Sequence, residues 1–142
     1  MFFIGRNTDY AVALEAALKM KEISYIHAES YAAGELKHGT IALIEEHCPV
    51  IALCCNEKMT EKTMNNIVEV KARGAEVLAV TFKENTKMAS LADDMIMIPK
   101  VNVLLGAPVE IVPLQLLAYY VAKENNCDID KPKNLAKSVT VE

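Results

Sequence analysis

Residues 49–82 read PVIALCCNEKMTEKTMNNIVEVKARGAEVLAVTF, and their pattern decides the fold. PVIALCC (49–55) is apolar without alternation, the mark of a strand buried on both faces. EKTMNNIVEVKARG (61–74) spaces its apolar residues as an amphipathic helix and stops at Gly74. EVLAVTF (76–82) is a second buried strand. Strand, helix and strand in this order make a parallel crossover unit, because a parallel neighbour cannot be reached through a tight turn.

Upstream, MFFI (1–4) is a short apolar run ended by Gly5 and Arg6 and reads as a strand beginning at the first residue. Thr8 or Asp9 is placed to cap a helix in which Tyr10, Ala13, Leu14, Ala17 and Leu18 recur at helical spacing, running to about Glu22 or beyond. A shorter helix is expected over Ala28–His38. Glu29 lies in its first turn, Lys37 and His38 in its last, and Gly39 follows. Downstream, MIMIP (95–99) is another strand, and 108–125 is a long helix with Pro108 or Pro113 near its start. The expected fold class is α/β: a three-layer α/β/α sandwich around a mostly parallel sheet of about four to five strands. A core strand at residue 2 points to a piece of a longer chain. The last ten residues, KNLAKSVTVE, have no helical period and read as a tail.

Composition narrows the function. Hydrophobic residues make up 52% and charged residues 24%, a globular balance. The net charge is −4, with no basic block and no interleaved aromatics, so nucleic acid is not an expected partner. The longest uncharged run, between Glu110 and Lys123, falls short of the ~20 residues that a membrane span needs. No signal peptide is read at the N-terminus, and the expected location is the cytoplasm. Cys48, Cys54, Cys55 and Cys127 lack C-x-x-C spacing and are expected to be reduced thiols. His27 and Glu29 are two apart and H-E-x-x-H is absent, so no metal is expected. GRNTD (5–9) lacks G-x-G-x-x-G and no dinucleotide is expected, although the turn at Thr8 has free N–H groups of the kind that bind anions.

The chemistry-bearing types crowd into EISYIHAESYAAGELKHGT (22–40), with two of the chain's three histidines. Lys19 and Glu22 are three apart and share a helix face; Glu15 and Lys19 are four apart and can pair instead. Pattern alone favours a solvated face with ion pairs of ~0.3–0.5 kcal/mol each. Against that, Glu22 lies near a helix end, where the dipole favours taking up a proton, as suits a general base. His38 before Gly39 reads either as a C-terminal cap or as an acid/base group. Lys137 in NLAKS is a surface lysine unless the tail carries it into a cleft.

ALEAALKMKEISYIHAESYAAGELKHG (13–39) resembles a signature of the glucosamine-6-phosphate synthase family, the glutamine–fructose-6-phosphate amidotransferases. NLAKSVTVE (134–142) is similar to that family's C-terminal tail, and VPLQLLAYYVA (112–122) to its last long helix. The resemblance implies a second sugar-isomerase (SIS) domain over 1–128 and a tail over 129–142 that closes over the isomerase site. It implies a glutaminase domain and a first SIS domain in the same parent chain, a sugar phosphate as ligand, a homodimer, and no cofactor. By the same resemblance Glu22 is the base that moves a proton between C1 and C2 of the open-chain sugar imine. His38 opens the sugar ring in the neighbouring subunit's site. Lys19 assists at the reacting end, Lys137 engages the carbonyl, and Ala136 contacts the sugar through its backbone. The isolated 142 residues are expected to be inactive. A non-catalytic sugar-phosphate-binding SIS module and a fructosamine-type deglycase on the same fold are the alternatives. Asn7, Ala11, Ala16, Thr40 and Lys133 depart from the family's usual glycine, proline, glycine, proline and arginine, and none is a group assigned to chemistry. Asn7 tolerates unusual backbone angles, so the first turn is expected to keep its shape.

Overall fold

The computed structural model describes residues 1–83 and 85–135. The elements are β1 (Phe2–Gly5), α1 (Thr8–Ser24), β2 (Glu29–Ala32), β3 (Pro49–Cys54), α2 (Thr60–Lys71), β4 (Glu76–Phe82), β5 (Asp94–Ile98) and α3 (Gly106–Glu124). Short 3-10 segments cover Ala33–His38, Thr40–Leu43, Thr86–Ser90 and Val103–Leu105. The five strands form one sheet in the order β2-β1-β3-β4-β5, and every pairing is parallel. The chain steps from β1 one way to β2, then the other way through β3, β4 and β5. β1 and β3 therefore flank the point where the winding reverses.

The sheet is covered on both sides, as its non-alternating strands require. Phe3, Ile51, Leu53 and Val80 pack against Val12, Ala13, Ala16, Ala17 and Met20 of α1 and Leu114 and Ala118 of α3. Ile4, Val50, Ala52, Val77 and Ala79 face Ile67 and Val70 of α2, with Ala33, Leu36 and Met88 from the 3-10 segments. Each large side chain buried here contributes about 1.5–3 kcal/mol.

The structure corrects the sequence reading in three places. The expected helix over 28–38 is strand β2 followed by a 3-10 segment, Ala33–His38. Glu29–Ala32 instead pair in register with β1, Phe2 opposite Glu29 and Gly5 opposite Ala32. Tyr31 then packs on Phe2, ring centres 6.0 Å apart, and its hydroxyl donates to Glu29 on the same side of the strand.

On α1 the buried stripe is Val12, Ala13, Ala16, Ala17 and Met20, while Leu14 and Leu18 are 48% and 41% exposed. Small residues on the inner stripe let the helix approach the sheet closely. A Cβ on Gly5 would lie 2.6 Å from the Asp9 carbonyl carbon, so the turn has no room for a side chain there.

The α1 N-cap is Asn7, not Thr8 or Asp9, and it makes no side-chain cap bond. Its φ of 57° is an unusual backbone angle of the kind that asparagine tolerates. At the other end Tyr25, in the left-handed conformation, closes the helix.

Candidate functional site

The first helix carries polar groups at both ends. In a parallel β-α-β unit α1 runs back across the sheet, from the C-terminal edge of β1 towards the N-terminal edge where β2 begins. Lys19 and Glu22 therefore sit towards the N-terminal edge of the strands and Asp9 at the C-terminal edge.

At the far end, Lys19 Nζ donates to Glu22 Oε2 at 2.7 Å and lies 3.4 Å from Glu15 Oε1. Both pairings anticipated for Lys19 are thus made. The hydrogen bond to Glu22 raises the Lys19 pKa above its usual value and keeps the ammonium charged. The Lys19 and Glu22 side chains are 32% and 28% exposed, half-open to an incoming ligand. A carboxylate held beside a fixed cation is arranged to accept a proton while developing negative charge is stabilised close by.

His38 ends the 3-10 segment that follows β2. That segment is anchored by Ala33 and Leu36 in the core on the α2 side, whereas α1 is anchored on the α3 side. Lys19 and Glu22 thus belong to one layer and His38 to the other. Its imidazole is 74% exposed and lies 3.8 Å from Glu35. Among the described residues no hydrogen bond or ion pair joins His38 to Lys19 or Glu22. His27 and Glu29 do meet, at 3.3 Å, and the Tyr31 hydroxyl holds the Glu29 carboxyl below its usual pKa. Among the described residues no three His, Cys, Asp or Glu side chains gather as a metal site.

After α3 the chain returns to the end of α1. The Lys133 N–H donates to the Tyr25 hydroxyl at 2.8 Å, and its ammonium lies 5.4 Å from the Tyr25 ring centre. Ala136 and Lys137 lie outside the described residues.

The sequence reading missed a second cluster, at the C-terminal ends of β1 and β3. Asp9 and Glu110 are 2% and 1% exposed. The Asp9 carboxylate accepts from the backbone N–H of Cys55 at 2.9 Å and of Asn56 at 3.0 Å, tying α1 to the end of β3. Glu110 Oε1 is buried with no hydrogen-bond partner among the described residues. Burial pushes the Asp9 carboxyl up to about 6. Burial, then the charge of Asp9, pushes Glu110 up to about 8. The Cys54 and Cys55 thiols are driven up mainly by burial and stay protonated. Asp9, Cys55 and Glu110 line a cavity of about 410 Å³ together with Asn7, Asn56, Lys58 and Lys100. One signal was available: Glu110 is the only charged residue between Lys100 and Lys123.

Comparison with known proteins places the fold. The profile of the family described as "SIS domain" matches residues 1–124. The chain belongs to the SIS domain family. Over its full 142 residues this SIS domain is 55% identical to the glutamine–fructose-6-phosphate aminotransferase (isomerizing) of Clostridium tetani and 56% identical to that of Clostridium acetobutylicum. It spans 23% of the length of each of those proteins. Among solved structures, it is similar to the C-terminal domain of glucosamine-fructose-6-phosphate aminotransferase from Francisella tularensis. The TM-score is 0.87 at 38% identity, covering 92% of this chain and 37% of that one. Among the described residues no helix is long and apolar enough to cross a membrane.

Proposed function

We propose that this SIS domain carries the isomerase chemistry of a glutamine–fructose-6-phosphate aminotransferase. The observation that carries this is the 55–56% identity to proteins of that name across all 142 residues. The substrate is the open-chain imine of fructose 6-phosphate. Glu22 takes a proton from C1 and returns it to C2. The C2 imine becomes an amine and the C1 carbinol becomes an aldehyde, giving glucosamine 6-phosphate. Lys19, 2.7 Å from Glu22 and held charged by it, steadies negative charge at the reacting end.

His38 opens the sugar ring in the site of a second subunit. Its place in the opposite layer from Glu22, with a 74% exposed ring, supports a role outside its own chain. A homodimer follows from that role. Ala136 and Lys137 complete the site from the tail, residues 129–142, which acts as a separate closing segment on the domain over 1–128. The docking of Lys133 on Tyr25, three residues beyond Glu22, supports this. The four residues from Lys133 to Lys137 reach at most about 14 Å. The remaining partners are a glutaminase domain and a first SIS domain on the same parent chain, and the setting is the cytoplasm. Thiols that stay free at Cys48, Cys54, Cys55 and Cys127 suit that reducing compartment.

The test supplies fructose 6-phosphate and ammonia and measures glucosamine 6-phosphate. A chain of the relatives' full span that carries this domain is expected to turn over, and the 142 residues alone are expected to give no more than a trace. No turnover by the long chain overturns the proposal, and robust turnover by the 142 residues alone overturns the expectation that they are inactive in isolation.

A further inference from the structure

Besides the buried Ala33 and Leu36, a guanidinium packs against the segment bearing His38. Arg6, in the turn after β1, donates from Nε and Nη2 to Asn66 Oδ1 at 3.1 and 3.0 Å. Asn66 is on α2 and only 2% exposed, so its carbonyl is a fixed acceptor inside the fold. Its amide donates onward to Glu69 at 3.1 Å, and Glu69 pairs with Lys37 at 2.6 Å. The chain of contacts thus begins at the β1–α1 turn and ends beside His38.

The other side of the guanidinium is closed by Gly34, in the first turn of the 3-10 segment. A Cβ there would lie 2.8 Å from Arg6 Nη2 and 2.9 Å from Nη1. The contact concerns space and not backbone angle, since φ at Gly34 is not among the positive values, and a Cβ there would require the guanidinium to shift. A planar group thus lies between a buried amide and a bare backbone. Lysine has neither the plane nor the paired donors to replace it.

We propose that Arg6, seated between Gly34 and Asn66, is the positioning residue for His38. It sets the height and direction from which the imidazole leaves the domain. This rests on the role given to His38 above, while the clamp itself can be measured without any assay of turnover.

The experiment uses the 142-residue chain with Arg6→Ala, Gly34→Ala, the double variant and Arg6→Lys, reading amide exchange at residues 35–38 and the His38 ring resonances. Arg6→Ala and Gly34→Ala are each expected to speed exchange at 35–38 by about tenfold or more and to shift the ring signals. In the Arg6→Ala background, Gly34→Ala is expected to add less than about twofold, because the atom it strikes has gone. Arg6→Lys is expected to resemble Arg6→Ala. Additive effects of the two substitutions, or unchanged exchange at 35–38, overturn the clamp. In the full-span chain, Arg6→Ala is expected to lower kcat with fructose 6-phosphate by about tenfold and to alter its pH profile, with KM nearly unchanged. Loosened exchange with unchanged kcat would leave the clamp standing and overturn the positioning role through His38.

Discussion

The two ends of α1 show how differently charge can be used within one helix. At its start, Asp9 is buried, tied to two backbone N–H groups and shifted upward in pKa beside an equally buried Glu110. At its finish, Lys19 and Glu22 are about two-thirds buried, paired with each other and accessible. The start holds the sheet crossing together. The finish is where the isomerase chemistry is proposed. A strongly shifted carboxyl is a frequent sign of an active site, but structural networks shift pKa values as well. Here the strongest shifts lie at the opposite edge of the sheet from the proposed base.

The largest expected effect comes from emptying the buried end. Asp9→Ala strands the Cys55 and Asn56 N–H groups and is expected to cost about 3 kcal/mol in urea unfolding. Lys19→Ala, at the other end, is expected to cost below about 1 kcal/mol. Equal losses would erase the contrast.

Next in size is a pH effect. Glu110 has a folded pKa of about 8, above its usual 4.5, so the native state binds more protons than the unfolded chain between those values. Stability therefore falls as pH rises from about 5 to 8, and Asp9, raised to about 6, adds to the fall in the lower part of that window. Glu110→Gln should flatten the curve and leave the variant more stable than the parent at pH 8, on the order of 1–3 kcal/mol. Thermal melts across that window check it; an unchanged slope would show that Glu110 does not titrate there.

Smaller still is Asn7→Gly, which relieves the positive φ of 57° and should stabilise by about 0.5–1 kcal/mol. A loss on that substitution would show that the Asn7 side chain contributes more than its backbone angle costs. At the proposed active end, mixing full-span Glu22→Gln and His38→Ala subunits, each inactive alone, should restore about a quarter of parental activity. Half the dimers are mixed, and each mixed dimer holds one complete site. No recovery on mixing would place His38 in its own chain's site.

Most of the fold was legible because it rests on long apolar runs. β3, α2 and β4 lie where their composition puts them, within three residues at each end. β2 was not, since four half-polar residues at a sheet edge become a strand only by pairing with β1. Of the charges that suggested a helix there, Lys37 and His38 end the 3-10 segment Ala33–His38, whereas Glu29 lies in β2 and the acid in the segment's first turn is Glu35. On α1 the pattern gave the helix but not its inner stripe: alanines and leucines both count as apolar, and only close packing on the sheet selects the alanines. Lys19 and Glu22 were legible as a pair from their spacing. Asp9 with Glu110, and Arg6 with Asn66, were not, because each pair is joined by tertiary packing across a long sequence separation.

The proposed isomerase chemistry depends most directly on Glu22. In a chain of the relatives' full span carrying this domain, Glu22→Gln preserves the side chain's shape and removes its capacity to carry a proton between carbons. Formation of glucosamine 6-phosphate is predicted to fall by about a hundredfold or more, with hydrolysis of glutamine unchanged within about twofold. Isomerisation within a few-fold of the parent would contradict the assignment of Glu22 as the base.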